Sequence, residues 1–234
     1  MKNNPSGNRL LKILRLFTIE FLIVFFLFLV SAYGFYILVN NVFRLNKMST
    51  DLWVFSQLAA IRSDALTDIM IPITHLGSSW FLIVANVALG LYFLLIRKHR
   101  WYSIKVPVVA LGSVAMMTLL KLFFSRPRPD LPVIEGVLGF SFPSGHSMSA
   151  MTFYGLLIYL VWNSAFEKKW KWILIPVLAL IIALVGFSRI YLRVHYLSDV
   201  LAGFAVGVLW LILSIFIIDR IEKKWFAVSP PPTR

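Results

Sequence analysis

Apolar runs of roughly 20 residues, each long enough to cross about 30 Å of hydrocarbon, recur along the whole chain. They predict six spans: Phe17–Val39, Ile69–Ile96, Ile104–Phe124, His146–Trp162, Trp172–Tyr191 and Leu197–Ile218. Hydrophobic residues fill 59% of the 234 positions and the mean hydropathy is +0.82, more apolar surface than a soluble domain of this size can hide. The expected fold class is an all-α integral membrane protein, a bundle of six transmembrane helices. Between the first two spans, Ser49 to Asp68 carries apolar residues at Leu52, Phe55, Leu58 and Ala59. That spacing predicts an amphipathic helix, either lying flat at the interface or packed on the bundle.

The charge distribution orients the bundle. The net charge is +13, but the cations cluster in short connectors between apolar runs, as the positive-inside rule requires. One side receives the N-terminal arm, the Arg97-Lys98-His99-Arg100 connector, the Lys168-Lys169-Trp170-Lys171 connector and Arg220, Lys223 and Lys224. The other receives Asp51, Asp64, Asp68, Asp130 and Glu135. The first side is therefore expected to be cytoplasmic, with both termini inside. Residues 1–16 form a cytoplasmic arm, 17–218 the membrane domain and 219–234 a cytoplasmic tail ending in the proline-rich Ser229–Arg234. The basic stretch at Arg9, Lys12 and Arg15 resembles a signal peptide, but its apolar region is about twice the usual length, which predicts a retained span. With no basic soluble domain and no nucleic-acid motif, the charge reports orientation and anionic headgroups, and nucleic acid is excluded as a partner. The absence of cysteine excludes disulfides and thiolate chemistry.

Three polar clusters border these spans: Lys121–Pro129 (KLFFSRPRP), Pro143–His146 (PSGH) and Ser188–Asp199 (SRIYLRVHYLSD). A charge at a span centre costs about 2.5–3.5 kcal/mol, so such residues are rarely idle. In the deduced orientation all three meet at the outer face. Lys121, Arg128 and Arg189 would be fixed cations suited to an anion, and guanidinium forks match phosphate oxygens. Ser144 and Gly145 precede a helix whose free N–H groups favour the same charge. His195 and Asp199 are four apart and share a helix face. A carboxylate on one imidazole nitrogen leaves the other free as nucleophile, and His146 is a nearby proton donor. A phosphate group satisfies all of these features, and phosphoryl transfer needs mainly alignment and charge cancellation.

Lys121, six residues, then Arg128-Pro129; Pro143-Ser144-Gly145-His146; and Ser188-Arg189, five residues, His195, three more, Asp199: this series resembles the type 2 phosphatidic acid phosphatase superfamily. The likeness covers about Ile69 to Ile218. It implies a metal-independent hydrolase without cofactor, working through a phosphohistidine. His195 would attack phosphorus, Asp199 would orient it, and His146 would protonate the leaving group. Lys121, Arg128, Ser144, Gly145, His146 and Arg189 would contact the phosphoryl oxygens. It further implies a bacterial cytoplasmic-membrane enzyme whose partner is a membrane lipid phosphate within the bilayer, with no obligate protein partner. Undecaprenyl pyrophosphate is the first expectation for substrate, then phosphatidylglycerophosphate or phosphatidic acid.

Blander readings stand beside these. Arg126 and Arg193 are read as snorkelling anchors or electrostatic support. Glu20 and Asp219 lie near inner span ends and can reach water, and His75 beside Gly77-Ser78-Ser79 marks a break in the second span. A lipid phosphotransferase could use the same site. An anion channel would need a polar route to the inner face, which the pattern lacks. A metal hydrolase on His146, His195 and Asp199 would lack an acidic ligand cluster.

Overall fold

In the computed structural model, residues 5–228 are described, with side chains for Ile19 and for Phe21 to Trp225. Every regular element among them is helical: α1 (Pro5–Val39, extended by a wider turn over Asn40–Arg44), α2 (Ser49–Ala60), α3 (Asp64–His75), α4 (Ser79–Leu91, extended through Tyr92–Ile96), α5 (Arg100–Phe124), α6 (Gly145–Trp162), α7 (Lys168–Tyr191) and α8 (Leu197–Val228). The arm expected over residues 1–16 is helical from Pro5, and α8 continues beyond Ile218 without interruption. Residues 1–4 and the proline-rich Ser229–Arg234 lie outside the described residues.

Among the described residues, five helices are long and apolar enough to cross a membrane: Phe21–Arg44, Ser79–Ile96, Arg100–Phe124, Lys168–Tyr191 and Leu197–Trp225. The expected fourth span, α6, falls short of that standard, and its position explains why. It packs against α4, α5, α7 and α8 at the centre of the bundle, burying Ser147, Met148, Ala150, Thr152, Phe153, Tyr154, Gly155 and Leu156. A central helix touches protein rather than lipid, so small and hydroxylated residues serve it better than leucine. Its close partner is α8, where Gly203 and Gly207 are four apart. A Cβ at Gly203 would come 2.6 Å from Ser144 O, and one at Gly207 2.8 Å from Met151 Cβ. In contrast, many described apolar side chains of α1 point outward, with Phe21, Phe26 and Tyr33 all more than half exposed.

The second expected span is two helices, not one. It breaks at Leu76-Gly77-Ser78, where the Ser78 hydroxyl caps α4 by accepting from Phe81 N, and Tyr154 OH holds the break by donating to Leu76 O at 2.9 Å. Glycine is needed at the break because a Cβ on Gly77 would lie 2.5 Å from Val185 Cγ1 and 3.3 Å from His146 O. The helix expected over Ser49–Asp68 is likewise divided into α2 and the start of α3. The buried face of α2 comprises Asp51, Phe55 and Leu58, while Leu52 is 55% exposed. Asp51, expected at the outer surface, is 3% exposed.

Candidate active site

Helix ends gather the three polar clusters at one end of the bundle. There α5 and α7 terminate and α6 and α8 begin, which follows from four successive antiparallel helices. Backbone hydrogen bonds tie the ends together: Ser144 N donates to Asp199 O (2.9 Å), Ser141 N to Arg126 O (2.8 Å) and Val133 N to Leu192 O (3.0 Å). The five residues between α7 and α8 are pinned by one carbonyl, since Val194 N and His195 N both donate to Arg189 O.

His195 is 1% exposed and stands just before α8. Arg128 Nη1 lies 3.2 Å from its Nε2. A guanidinium can only donate, so Nε2 accepts and the ring proton belongs on Nδ1. Nδ1 is 3.4 Å from Asp199 Oδ2, close but without the alignment of a hydrogen bond. Burial pushes the His195 pKa down to about 4, with Arg189 and Arg128 lowering it further and Asp199 opposing. The ring is therefore neutral at pH 7, the state a nitrogen nucleophile requires.

Asp199 is fully buried and holds α8 as well as the histidine. As the third residue of the helix its carboxylate reaches back to Tyr196 N (Oδ2, 2.9 Å), half of a capping box. Oδ2 also accepts from the Ser141 hydroxyl, and Oδ1 accepts from Arg126 Nη1 at 2.5 Å.

The three expected cations surround this pair without a carboxylate partner among the described residues. Arg128 donates from Nε to Gly139 O (2.9 Å), from Nη2 to Leu138 O (3.1 Å) and from Nη1 to Val194 O (2.8 Å). Arg189, 4% exposed, donates from Nη1 to Thr74 Oγ1 (2.7 Å), and its buried Nε has no partner among the described residues. Lys121 Nζ donates to Phe140 O, one turn before the end of α5. Its stem lies under the first turn of α6, where a Cβ on Gly145 would come 2.5 Å from Met117 Sδ and 3.8 Å from Lys121 Cε.

His146 follows Gly145 in the first turn of α6, half-buried against the Gly77 break. Ser144 is the N-cap of α6. Its N–H is spent on Asp199 O, and its fully buried hydroxyl caps α6 by accepting from Ser147 N (3.4 Å) and Ser147 Oγ (3.0 Å). The amides that the helix leaves free for an anion are those of Gly145 and His146. No group of three or more His, Cys, Asp or Glu side chains converges for a metal among the described residues.

Sequence reasoning underrated Arg126 and missed Asp51, Thr74, Ser141 and Ser198. Arg126, read as an anchor or support, is 5% exposed and bridges Asp199 to Asp51. Two signals were present. Arg126 is paired with Arg128 in the RPRP sequence, and Asp51 occupies the position that continues the Phe55–Leu58 face one turn earlier. Arg193, the other residue read as an anchor, sits 5.3 Å from the Phe55 ring. His75 is exposed, and its carbonyl accepts from the Ser78 hydroxyl.

Fold and bundle end together define an all-helical membrane phosphatase. The chain belongs to the PAP2 superfamily, whose model matches residues 102–223. All three clusters fall inside that segment, whereas Asp51, Thr74 and Gly77 precede it. Phosphatidylglycerophosphatase B of Bacillus subtilis is 35% identical over 197 residues, covering 83% of this chain and 95% of that protein. An undecaprenyl-diphosphatase of Sulfolobus acidocaldarius is 32% identical over 103 residues, 44% of this chain and 46% of that protein. The crystal structure of a transmembrane PAP2-type phosphatidylglycerolphosphate phosphatase from Bacillus subtilis matches with a TM-score of 0.74 at 31% identity, covering 88% of this chain and 98% of that one.

Proposed function

We propose that the protein removes the terminal phosphate of a membrane lipid at the outer face of the bacterial cytoplasmic membrane. The observation that carries this reading is the 3.2 Å approach of Arg128 to Nε2 of a neutral, buried His195 that faces Asp199. In the first step the Nε2 lone pair forms a bond to phosphorus while the bond to the lipid oxygen breaks, and His146 gives that oxygen its proton. In the second, water attacks phosphorus and passes a proton to His146 as the N–P bond breaks and inorganic phosphate leaves. Lys121, Arg128, Arg189 and the amides of Gly145 and His146 cancel charge on the equatorial oxygens, with Ser144 shaping the loop that presents them.

The opposite end of the bundle carries the basic connectors at Arg97–Arg100 and Lys168–Lys171, which supports an outward-facing site and inward termini. A lateral apolar cavity of about 510 Å³ between α4 and α5 supports a lipid substrate. It runs from Ser103 to Met117 on α5, and Met117 abuts Gly145 beside Lys121, so a chain lying in it would deliver its headgroup to the cations. Among substrates, the 35% likeness to a phosphatidylglycerophosphatase over most of both chains favours phosphatidylglycerophosphate over the undecaprenyl pyrophosphate first expected. The shorter match to an undecaprenyl-diphosphatase keeps that lipid second.

Purified protein offered both lipids and phosphatidic acid should release phosphate from at least one, fastest from phosphatidylglycerophosphate. Folded His195→Ala should release none. Turnover by that variant within tenfold of the parent would remove the histidine from its role.

A further inference from the structure

Arg126 and Asp51 are buried charges at the site end that the phosphate chemistry above does not use. Arg126 lies between two carboxylates, with Nη1 2.5 Å from Asp199 Oδ1 and Nη2 3.1 Å from Asp51 Oδ2. Its guanidinium also lies 4.0 Å over the Tyr196 ring and donates to Ser198 Oγ at 2.8 Å. Asp51 comes from α2, far away in sequence, and engages the first turn of α8 by accepting from Ser198 N (2.9 Å) and the Ser198 hydroxyl (2.6 Å).

The charge balance shows what this arrangement does. A guanidinium bonded to Asp199 alone would neutralise it and leave little negative charge for the histidine. One guanidinium shared by two carboxylates leaves one negative charge uncompensated, in a group whose other face meets His195 Nδ1. When Nε2 forms its bond to phosphorus, the imidazole becomes cationic, and that surplus charge is the one it meets. A desolvated charge acts strongly at such range because little solvent screens it.

We propose that Asp51 is a positioning residue for the phosphoryl-transfer step: by drawing off part of the Arg126 guanidinium it keeps Asp199 able to stabilise the His195 cation. The role would make α2 part of the catalytic assembly, although it lies outside the family-matched segment. This inference rests on His195 being the nucleophile.

The test separates transition-state from ground-state binding. Orthovanadate becomes five-coordinate when an imidazole nitrogen bonds to it and so resembles the transition state, whereas inorganic phosphate stays tetrahedral. Binding of both to the full-length protein is measured by calorimetry. The parent should prefer vanadate, and His195→Ala should lose the preference. In Asp51→Asn, near-isosteric and still able to accept from Ser198 N through its one oxygen, the vanadate Kd should rise about tenfold while the phosphate Kd moves by less than about twofold. The same variant should lose about tenfold in kcat on dioleoyl phosphatidic acid with KM nearly unchanged. If Asp51→Asn does not fold, Asp51→Ser removes the same charge with a smaller side chain, and should show the same selective loss. Equal weakening of both anions, or of neither, overturns the positioning role. A parent without vanadate preference brings down the nucleophile itself, a result distinct from failure of the Asp51 inference.

Discussion

Arg126 apart, which is paired with Asp199 and Asp51, the two ends of this bundle hold their cations in opposite ways. At the basic end, Lys105 of α5 is 3% exposed and has two carboxylates from α8, Asp219 at 2.6 Å and Glu222 at 3.4 Å, with the Tyr102 and Tyr159 rings alongside. Asp219, expected simply to reach water, is thus the partner of a buried lysine. At the site end, Lys121, Arg128 and Arg189 donate to backbone carbonyls, a histidine nitrogen and a threonine hydroxyl, and none forms a salt bridge to a carboxylate among the described residues. A compensated buried cation holds helices together. Cations held by neutral groups retain their charge for an anion, and that surplus distinguishes a site from a strut.

Among substitutions that probe this contrast, the largest expected effect comes from removing one of the uncompensated cations. Arg189→Met should lower kcat/KM about 100- to 1,000-fold, as loss of a preorganised charge donor does elsewhere. Its thermal midpoint should hold or rise, because a buried guanidinium with no carboxylate partner among the described residues is itself a stability cost. A variant that loses activity only in proportion to lost folded protein would erase the distinction between the two ends.

Lys105→Met should reverse the pattern. It leaves Asp219 and Glu222 without their cation, and breaking a fully buried pair costs about 3–5 kcal/mol. Those carboxylate side chains are 36% and 22% exposed, so water takes over part of the solvation and the expected loss is nearer 2 kcal/mol. Activity of the folded fraction should stay within about threefold of the parent, since nothing at that end faces the bundle's other pole. Denaturant titration in micelles together with an activity assay reads both quantities. A large activity loss without destabilisation would show that the ends are coupled.

How far this division could be read beforehand depends on where each partner lies in the chain. Lys121, Arg128, Gly145, His146, Arg189, His195 and Asp199 stand near helix ends in short polar clusters, and a topology of alternating spans brings those ends together. The break after His75 was legible because Gly77 and Ser78 interrupt an otherwise apolar run. The Arg126–Asp51 pair joins residues 75 apart, and although the Asp51–Phe55–Leu58 spacing puts the aspartate on the buried face, nothing local names its partner. Ser144 shows a related limit of local pattern. Its motif places it beside an anion, but that its N–H donates to the Asp199 carbonyl and its hydroxyl caps α6 depends on how the two helix starts pack. The polar first half of α6 could have been read as a central, protein-facing helix, because small and hydroxylated residues belong at helix contacts within a membrane.

The smallest expected effect sharpens the comparison from outside it. Lys169 and Glu167 form an ion pair at 2.8 Å, nearly the separation of Lys105 and Asp219, with side chains 65% and 70% exposed. Separation alone would rank the two pairs together. Burial ranks them far apart, because water screens the exposed pair and its long side chains lose freedom in forming it. Glu167→Gln should therefore change stability by no more than about 0.5 kcal/mol, and added salt should reduce even that. The same denaturant titration measures it beside Lys105→Met. If the two substitutions cost the same, burial would not separate strut from ornament at this end, and the contrast with the uncompensated cations of the site would have to rest on their activity alone.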